Sequence, residues 1–254
     1  MTAPPIGLIS AIPVELDQLG DHFVERGRRT IAGLTFRSGA LDGWPVVAVE
    51  AGIGKVNAAL VATLLLHDFG AQALVFSGVA GGLDPALAVG DVVVATRLVA
   101  YDYGALIDGD IKPYQPGVPP LPGVSDAHGY NLPADLVDRL RRALDGAALP
   151  ALSAAATGGE ARAPRVVFGT VLTGDAFLNC SATRDRLHAR FGGQAVEMEG
   201  AAIAQVAEKF GAPAVVVRAL SDLAGADSHM DFPAFLHEAA GLAATIVRRV
   251  VPVV

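Results

Sequence analysis

Carboxylates in apolar surroundings are the residues of this sequence best suited to chemistry. Glu15 follows a short apolar segment near the N-terminus. Glu197 and Glu199 interrupt an otherwise apolar passage, and Asp222 ends a strongly hydrophobic run. A buried carboxylate is costly unless it is paired or used, so these positions favour general acid–base work or the anchoring of a polar ligand.

Each carboxylate also has a structural interpretation. Glu15 could be a first-turn helix carboxylate that the helix dipole favours. Arg218 lies four residues before Asp222 and could orient a neighbouring carboxylate or form a purely structural ion pair. A solvated face does not fit Glu197 and Glu199, because their neighbours are apolar.

Two glycine-rich segments follow predicted strands, where open α/β sheets bind ligands. Segment 51–56 opens a helix, but it is not a phosphate-binding P-loop, since Val49 and Val56 replace the required glycine and hydroxyl residue. Segment 77–83 is predicted to be a second turn, whose small residues let the backbone approach a ligand. Tight packing alone would also explain either segment.

The composition limits the classes of protein to consider. The 254 residues carry a formal net charge of −7 and a pI near 5.3, which argues against nucleic acid or acidic membranes as main partners. Cys180 is the only cysteine and the six histidines are scattered, so we expect neither an internal disulfide nor a metal site. Without an apolar run of about 18 residues or a basic N-terminal segment, we expect a cytoplasmic protein.

The elements that must position these residues alternate between strands and helices, which predicts an α/β fold with a sheet covered on both faces. The predicted strands are 6–11, 34–39, 46–50, 73–77, 92–98, 166–172, a short strand into Glu197, and 214–219. The predicted helices are 54–69, 133–144, 181–191, 199–210 and 233–250. Residues 101–131 are predicted to form a long proline-rich excursion and 151–163 a flexible connection. No repeat or linker interrupts the chain, so 1–254 is expected to be one domain.

A resemblance to a known family rests on five short segments in order along the chain. They are Gly52-Ile53-Gly54-Lys55-Val56-Asn57, Gly78-Val79-Ala80-Gly81-Gly82-Leu83, Thr173-Gly174-Asp175-Ala176-Phe177, Val196-Glu197-Met198-Glu199 and Arg218-Ala219-Leu220-Ser221-Asp222. Together they closely resemble the 5′-methylthioadenosine/S-adenosylhomocysteine nucleosidases of the purine nucleoside phosphorylase superfamily. The resemblance implies a three-layer α/β/α fold with a central mixed, largely parallel twisted sheet, a homodimer, no cofactor, and hydrolysis of the N-glycosidic bond to release adenine.

The resemblance also implies roles for individual residues. Asp222 would be the general acid that protonates adenine N7, with its carboxyl group held by Ser221. Glu15 would activate water, and Glu199 would anchor the ribose hydroxyls with Arg218 as its orienting partner. The remaining implied contacts are Met198 and Phe232 with the sugar, Phe177 and the Leu178 backbone with adenine, Ile12 and Ile53 with the 5′-alkylthio group, Val79, Ala80 and Gly81 through their close backbone approach, and Glu197 near the water.

One departure from the family pattern concerns the nucleophile. Val79 stands where many relatives have a serine, whose hydroxyl helps the phosphorylases of the superfamily to hold phosphate, and valine cannot donate a hydrogen bond. Segments 10–20 and 75–83 contain no arginine, so water is the expected nucleophile.

Three other functions stay open at this stage. The first is a phosphorylase of the same superfamily, and the second is a futalosine or aminofutalosine hydrolase whose 5′ pocket is shaped by segment 101–122. The third, a silent nucleoside-binding module, would leave Glu15, Glu199 and Asp222 unexplained. Segment 101–122 holds apolar and aromatic residues among prolines and glycines, so it is also expected to form an interface and to reach over the partner's 5′ pocket.

Overall fold

The computed structural model describes residues 3–11, 16, 18–119, 121, 128–157, 160–225 and 232–254, with the backbone alone at 232–234. The strands are β1 (Ile6–Ser10), β2 (Phe23–Ile31), β3 (Leu34–Leu41), β4 (Trp44–Glu50), β5 (Ala73–Gly82), β6 (Val92–Ala100), β7 (Gly104–Ile107), β8 (Asp110–Pro113), β9 (Tyr130–Asn131), β10 (Val166–Thr173), β11 (Gly193–Glu197) and β12 (Ala214–Asp222). The helices are α1 (Lys55–His67), α2 (Ala134–Leu144), α3 (Ala154–Thr157), α4 (Ser181–Phe191), α5 (Gly200–Phe210) and α6 (Phe232–Val250).

Ten of the described strands form one mixed sheet. Their order is β11-β10-β6-β12-β5-β1-β4-β3-β2, with β9 paired to β6. Parallel pairs join β1 to β4 and β5, β12 to β5, and β10 to β6 and β11. An antiparallel pairing of β11 with β5 then closes the strands β5, β12, β6, β10 and β11 into a ring.

The sheet carries a hydrophobic core on each face. Helices α1 and α5 contribute to one core, which includes Phe76 of β5. Helices α2 and α6 contribute to the other, which includes Val75 of the same strand. Because both faces of β5 are buried, its sequence is almost continuously apolar rather than alternating. The predicted arrangement, helices on both faces of a central mixed sheet, is confirmed.

The strand β2 is the main element absent from the sequence prediction. Charged and polar side chains fill most of β2, only Phe23 is buried, and the strand lies at the edge of the sheet. It joins β3 through Ala32 and Gly33, whose φ angles of 51° and 79° match a two-residue hairpin turn. Since an exposed edge strand lacks the apolar pattern, hydrophobic periodicity does not detect it.

Three predicted irregular segments contain regular structure. Segment 77–83 was expected to be a turn, but β5 continues to Gly82 because β12 and β11 pair with it there. Segment 101–131 contains the hairpin β7–β8 and the short strand β9. Segment 151–163 carries α3 and a bridge between Leu152 and Arg162. The Arg162 guanidinium is ion-paired to the buried Asp91 at 2.6 Å, which ties this segment to the sheet.

The described residues contain neither a membrane-spanning helix nor a metal-binding group. None of the helices in these ranges is both long enough and apolar enough to cross a membrane. Within the same ranges, no three His, Cys, Asp or Glu side chains come together as a metal-binding group.

Candidate active site

A cavity of about 190 Å³ opens at the carboxyl ends of the central strands. It is lined by Ala11, Ile53, Val79, Ala80, Gly81, Ala176, Phe177, Leu178, Val196, Glu197, Met198, Glu199, Ser221 and Asp222. The sequence prediction assigns a site role to all of these residues except Ala11, Ala176 and Val196. Strands β1, β4, β5, β10, β11 and β12 each supply residues from their carboxyl end or from the loop that follows, where α/β sheets bind ligands.

Asp222 is held at the end of β12 by two hydrogen bonds. Its Oδ1 accepts from the Ala224 amide at 2.7 Å, and its Oδ2 accepts from the Ser221 hydroxyl at 2.8 Å. A Cβ on Gly81 would lie 3.2 Å from Oδ1 and 3.0 Å from the Ala224 methyl group. Glycine at this position therefore lets the carboxylate lie close to β5. The predicted contact between Ser221 and Asp222 is confirmed.

Glu197 is a buried carboxylate that accepts hydrogen bonds from several neighbouring residues. It accepts hydrogen bonds from the Glu199 amide at 3.1 Å and the Gly200 amide at 2.8 Å, which places it at the N-terminus of α5. The Thr173 hydroxyl and the Arg218 guanidinium also donate to it. A carboxylate with these donors caps the helix and fixes the passage from β11 to α5.

Arg218 lies beneath the cavity and is fully buried. Its Nη2 contacts Glu197 and lies 3.2 Å from Glu199 Oε2, so the predicted pairing with Glu199 is confirmed. The guanidinium carbon also stands 3.7 Å from the centre of the Phe76 ring, a cation–π contact. One guanidinium thus fixes both carboxylates relative to each other.

The buried Glu199 carboxyl group has a perturbed pKa. Burial raises the pKa of Glu199, the Arg218 guanidinium opposes the shift, and the neighbouring Glu197 carboxylate adds to it. Glu199 Oε1 accepts a hydrogen bond from the Gly54 amide at 2.8 Å. Gly54 has a φ of 101°, a conformation that glycine readily adopts.

The mouth of the cavity is apolar and open. The Phe177 side chain is 65% exposed and Ile53 is 60% exposed, although both line the cavity. Aromatic and aliphatic groups in such a place offer a flat organic ligand stacking and dispersion contacts. Carboxylates at the base and an apolar mouth suit a ligand with a polar centre and an apolar end.

Comparison with known proteins decides the family. The model of the phosphorylase superfamily matches residues 5–252. A 5′-methylthioadenosine/S-adenosylhomocysteine nucleosidase of Mycobacterium bovis is 49% identical, covering 99% of this chain and 98% of its own. The chain belongs to this nucleosidase family. The resemblance inferred from the five sequence segments is confirmed.

Solved structures support the same assignment of the fold. The nucleosidase of Colwellia psychrerythraea in complex with adenine has a TM-score of 0.81 and 32% identity, covering 99% of this chain and 96% of that one. A futalosine hydrolase of Helicobacter pylori has a TM-score of 0.79 and 28% identity, covering 98% and 97%. Enzymes named for different nucleoside substrates, 5′-methylthioadenosine in one case and futalosine in the other, therefore share this fold.

Some nucleosidase site predictions fall outside the described structure. Glu15 and Ile12 lie outside the described residues, and Phe232 begins α6 with only its backbone described. Sequence reasoning also missed Thr173, whose hydroxyl accepts from the Ala201 amide at 2.8 Å while it donates to Glu197. The motif that contains Thr173 was noticed, but a threonine ending an apolar strand gives no sign of its buried partners.

Proposed function

We propose that this nucleosidase hydrolyses the N-glycosidic bond of 5′-methylthioadenosine and S-adenosylhomocysteine, giving adenine and the 5′-substituted ribose. The observation that carries the proposal is that Asp222 and Glu199 line one otherwise largely apolar cavity. In such surroundings a carboxyl group acts on the ligand with little competition from water.

Asp222 is the proposed general acid. Its carboxyl proton passes to adenine N7 as the bond from C1′ to N9 breaks and N9 keeps the electron pair. The base then leaves as neutral adenine instead of an anion. Water adds to C1′ of the cation-like sugar, and Glu15 accepts the proton that this water loses.

Glu199 is the proposed anchor of the ribose hydroxyls. Its Oε1 accepts a hydrogen bond from the Gly54 amide and its Oε2 accepts one from the Arg218 guanidinium. This fixed orientation lets the carboxylate accept hydrogen bonds from the sugar without reorganising during the reaction. Its negative charge also favours the positive charge that develops on the sugar.

The apolar residues of the cavity would bind the rest of the substrate. Phe177 stacks on the adenine ring, and the Leu178 backbone hydrogen-bonds its polar edge. Met198 packs against the sugar with Phe232, while Ile53 and Ile12 contact the 5′ substituent. The backbone of Val79, Ala80 and Gly81 forms the wall beside Asp222.

Water is the proposed nucleophile. Val79 lines the cavity, and its side chain offers no hydrogen-bond donor to phosphate. The sequence around it, residues 75–83, contains no arginine. Residues 78–83 therefore offer phosphate no side-chain hydrogen-bond donor, which favours water.

A homodimer is the proposed active form. Val56 is 82% exposed at the start of α1, Leu60 is exposed one turn later, and both follow Ile53 at the cavity mouth. Leu106 and Ile107 of β7 add further exposed apolar side chains. A second copy of this chain would cover such surface, and segment 101–122 would then cap the 5′ pocket of the partner.

A substrate panel tests the proposal. Purified protein is incubated with 5′-methylthioadenosine, S-adenosylhomocysteine, 5′-deoxyadenosine, futalosine and aminofutalosine, each with and without phosphate, and base and sugar are identified by mass spectrometry. Adenine with free 5′-methylthioribose is the expected result. Cleavage confined to futalosine or aminofutalosine would instead identify the alternative function, which the match to the Helicobacter pylori enzyme makes worth testing.

A further inference from the structure

A charged cluster of Lys55, Asp102 and Asp175 lies beside the cavity and has no part in the mechanism above. Lys55 Nζ lies 2.7 and 2.8 Å from the two Asp102 carboxylate oxygens and 3.3 Å from Asp175 Oδ2. The two aspartates are also joined, because the Asp175 amide donates to Asp102 Oδ2 at 2.8 Å. The Lys55 and Asp102 side chains are each only 23% exposed, so water screens their pairing less than that of an exposed pair.

The position of Lys55 in its helix is electrostatically unusual. Lys55 is the first residue of α1, where the positive end of the helix dipole disfavours a cation. The preceding residue, Gly54, has no side chain with which to cap the helix. Carboxylates from elsewhere in the chain compensate: Asp175 Oδ1 accepts from the Lys55 amide at 3.0 Å, and Glu199 Oε1 accepts from the Gly54 amide at 2.8 Å.

These contacts join parts of the site that are distant in sequence. The loop before α1 carries Ile53 and orients Glu199 through the Gly54 amide. The loop after β10 carries Asp175 and the cavity residues 176–178. Lys55 contacts Asp175 both through its amide and through its ammonium group, so the two loops are fastened to each other at this residue.

We propose that Lys55, with Asp102 and Asp175, is a positioning cluster that fixes the base-binding segment 176–178 relative to the sugar-binding carboxylate of Glu199. The assignment of base and sugar to these two parts rests on the proposed function. A ligand that spans both parts gains from their fixed separation, whereas adenine alone touches only one. Loss of the cluster should therefore weaken the binding of a whole nucleoside more than that of the free base.

The test compares two ligands in Lys55→Met, which keeps the length of the side chain and removes its charge. The dissociation constants of adenine and of 5′-methylthiotubercidin, a nucleoside that offers no N7 to protonate, are measured by titration calorimetry. We expect at least a tenfold weakening for the nucleoside and less than a threefold change for adenine, with kcat/KM reduced at least tenfold. Lys55→Arg, which keeps the charge, should restore most of the nucleoside affinity.

Two further variants separate positioning from stability. Asp102→Asn keeps the side-chain shape, and the double variant with Lys55→Met should lose no more nucleoside affinity than the worse single variant, since all act through one contact. Arg248→Met removes an exposed ion pair to Asp42 that lies away from the cavity lining and should change neither affinity.

The inference would be overturned by equal weakening of both ligands, or by a lowered melting temperature with both affinities unchanged. These results differ from failure of the proposed function, in which the unaltered protein itself neither hydrolyses nor binds the nucleoside.

Discussion

The Ser221 hydroxyl lies 2.8 Å from Asp222 Oδ2, and it is also 3.3 Å from the Ala80 carbonyl oxygen. A hydroxyl has one proton to donate and two lone pairs to accept with. It can donate to an ionised Asp222, or it can donate to Ala80 and accept the proton of a neutral Asp222. The Ser221 hydroxyl can therefore keep its hydrogen bond to Asp222 before and after the proton transfer that the proposed function assigns to this residue.

Asp222→Asn should remove nearly all turnover, because the amide keeps the shape of the carboxyl group but cannot deliver its proton to N7. General acid catalysis contributes roughly 10² to 10⁴ in rate, so kcat for adenine release should fall by at least about 100-fold. The affinity for 5′-methylthiotubercidin serves as control and should be nearly unchanged. A variant that keeps more than about a tenth of the activity would show that Asp222 is not the acid.

Glu199→Gln should lower the activity and should also change how the stability of the protein depends on pH. Because burial raises the pKa of Glu199 above its ordinary value of 4.5, the folded protein holds this proton at pH values where the unfolded chain has released it. The stability from this proton is fully present below pH 4.5 and is lost as the pH rises through the folded pKa.

Glutamine resembles the protonated form at every pH. The melting temperature of the Glu199→Gln variant minus that of the unaltered protein should therefore increase as the pH is raised above 4.5. The activity of the variant should be low at every pH. Thermal unfolding from pH 4 upward, with the surface variant Asp185→Asn alongside, makes the measurement. A relative melting temperature that falls with pH would mean that the folded pKa is lowered instead.

Glu15→Gln should depress hydrolysis severely, because the amide cannot take a proton from the attacking water. Phosphate added to the unaltered protein should not increase the rate, and the sugar product should carry no phosphate. Mass spectrometry of the sugar after reaction in ¹⁸O-water identifies the nucleophile. Ribose 1-phosphate as the main product would favour the phosphorylase alternative.

Tyr103 and Tyr114 should contribute to the dimer through the hairpin β7–β8. Their ring centroids lie 5.2 Å apart in an edge-to-face arrangement, and Tyr103 is 40% exposed. Changing both to serine should weaken dimerisation, or raise KM more for 5′-alkylthio substrates than for 5′-unsubstituted ones. Val24→Ser, at an exposed apolar position on the edge strand β2, is the matched control. Analytical ultracentrifugation measures dimerisation, and kinetics on both substrates measure KM. If neither quantity changes in the double variant, the hairpin β7–β8 takes no part in the dimer or the 5′ pocket.

The sequence predicts the parts of this protein in which local pattern and tertiary structure agree. Apolar strands such as β1 and β10 and the segments around Glu199 and Asp222 fall where the pattern indicates. The exposed strand β2 does not, because edge strands bury few side chains. The cluster of Lys55, Asp102 and Asp175 could not be foreseen either, since its members come from the start of α1 and from the segments after β6 and β10, which only the fold brings together. The roles of all the site residues stay predictions, including those of Glu15, Ile12 and Phe232, whose side chains the structure does not describe. The single domain, the homodimer and the cytoplasmic location also stay predictions.

The closure of β11 onto β5 has a consequence for how activity is acquired during folding. Val196 pairs with Gly81 across this junction, and Asp222 of β12 pairs with the same glycine. The cavity wall is therefore assembled only when chain segments far apart in sequence have met, and such contacts form slowly because closing long loops costs entropy. Asp222 and Val196 therefore reach their places in the cavity only in a chain in which β5, β11 and β12 are paired.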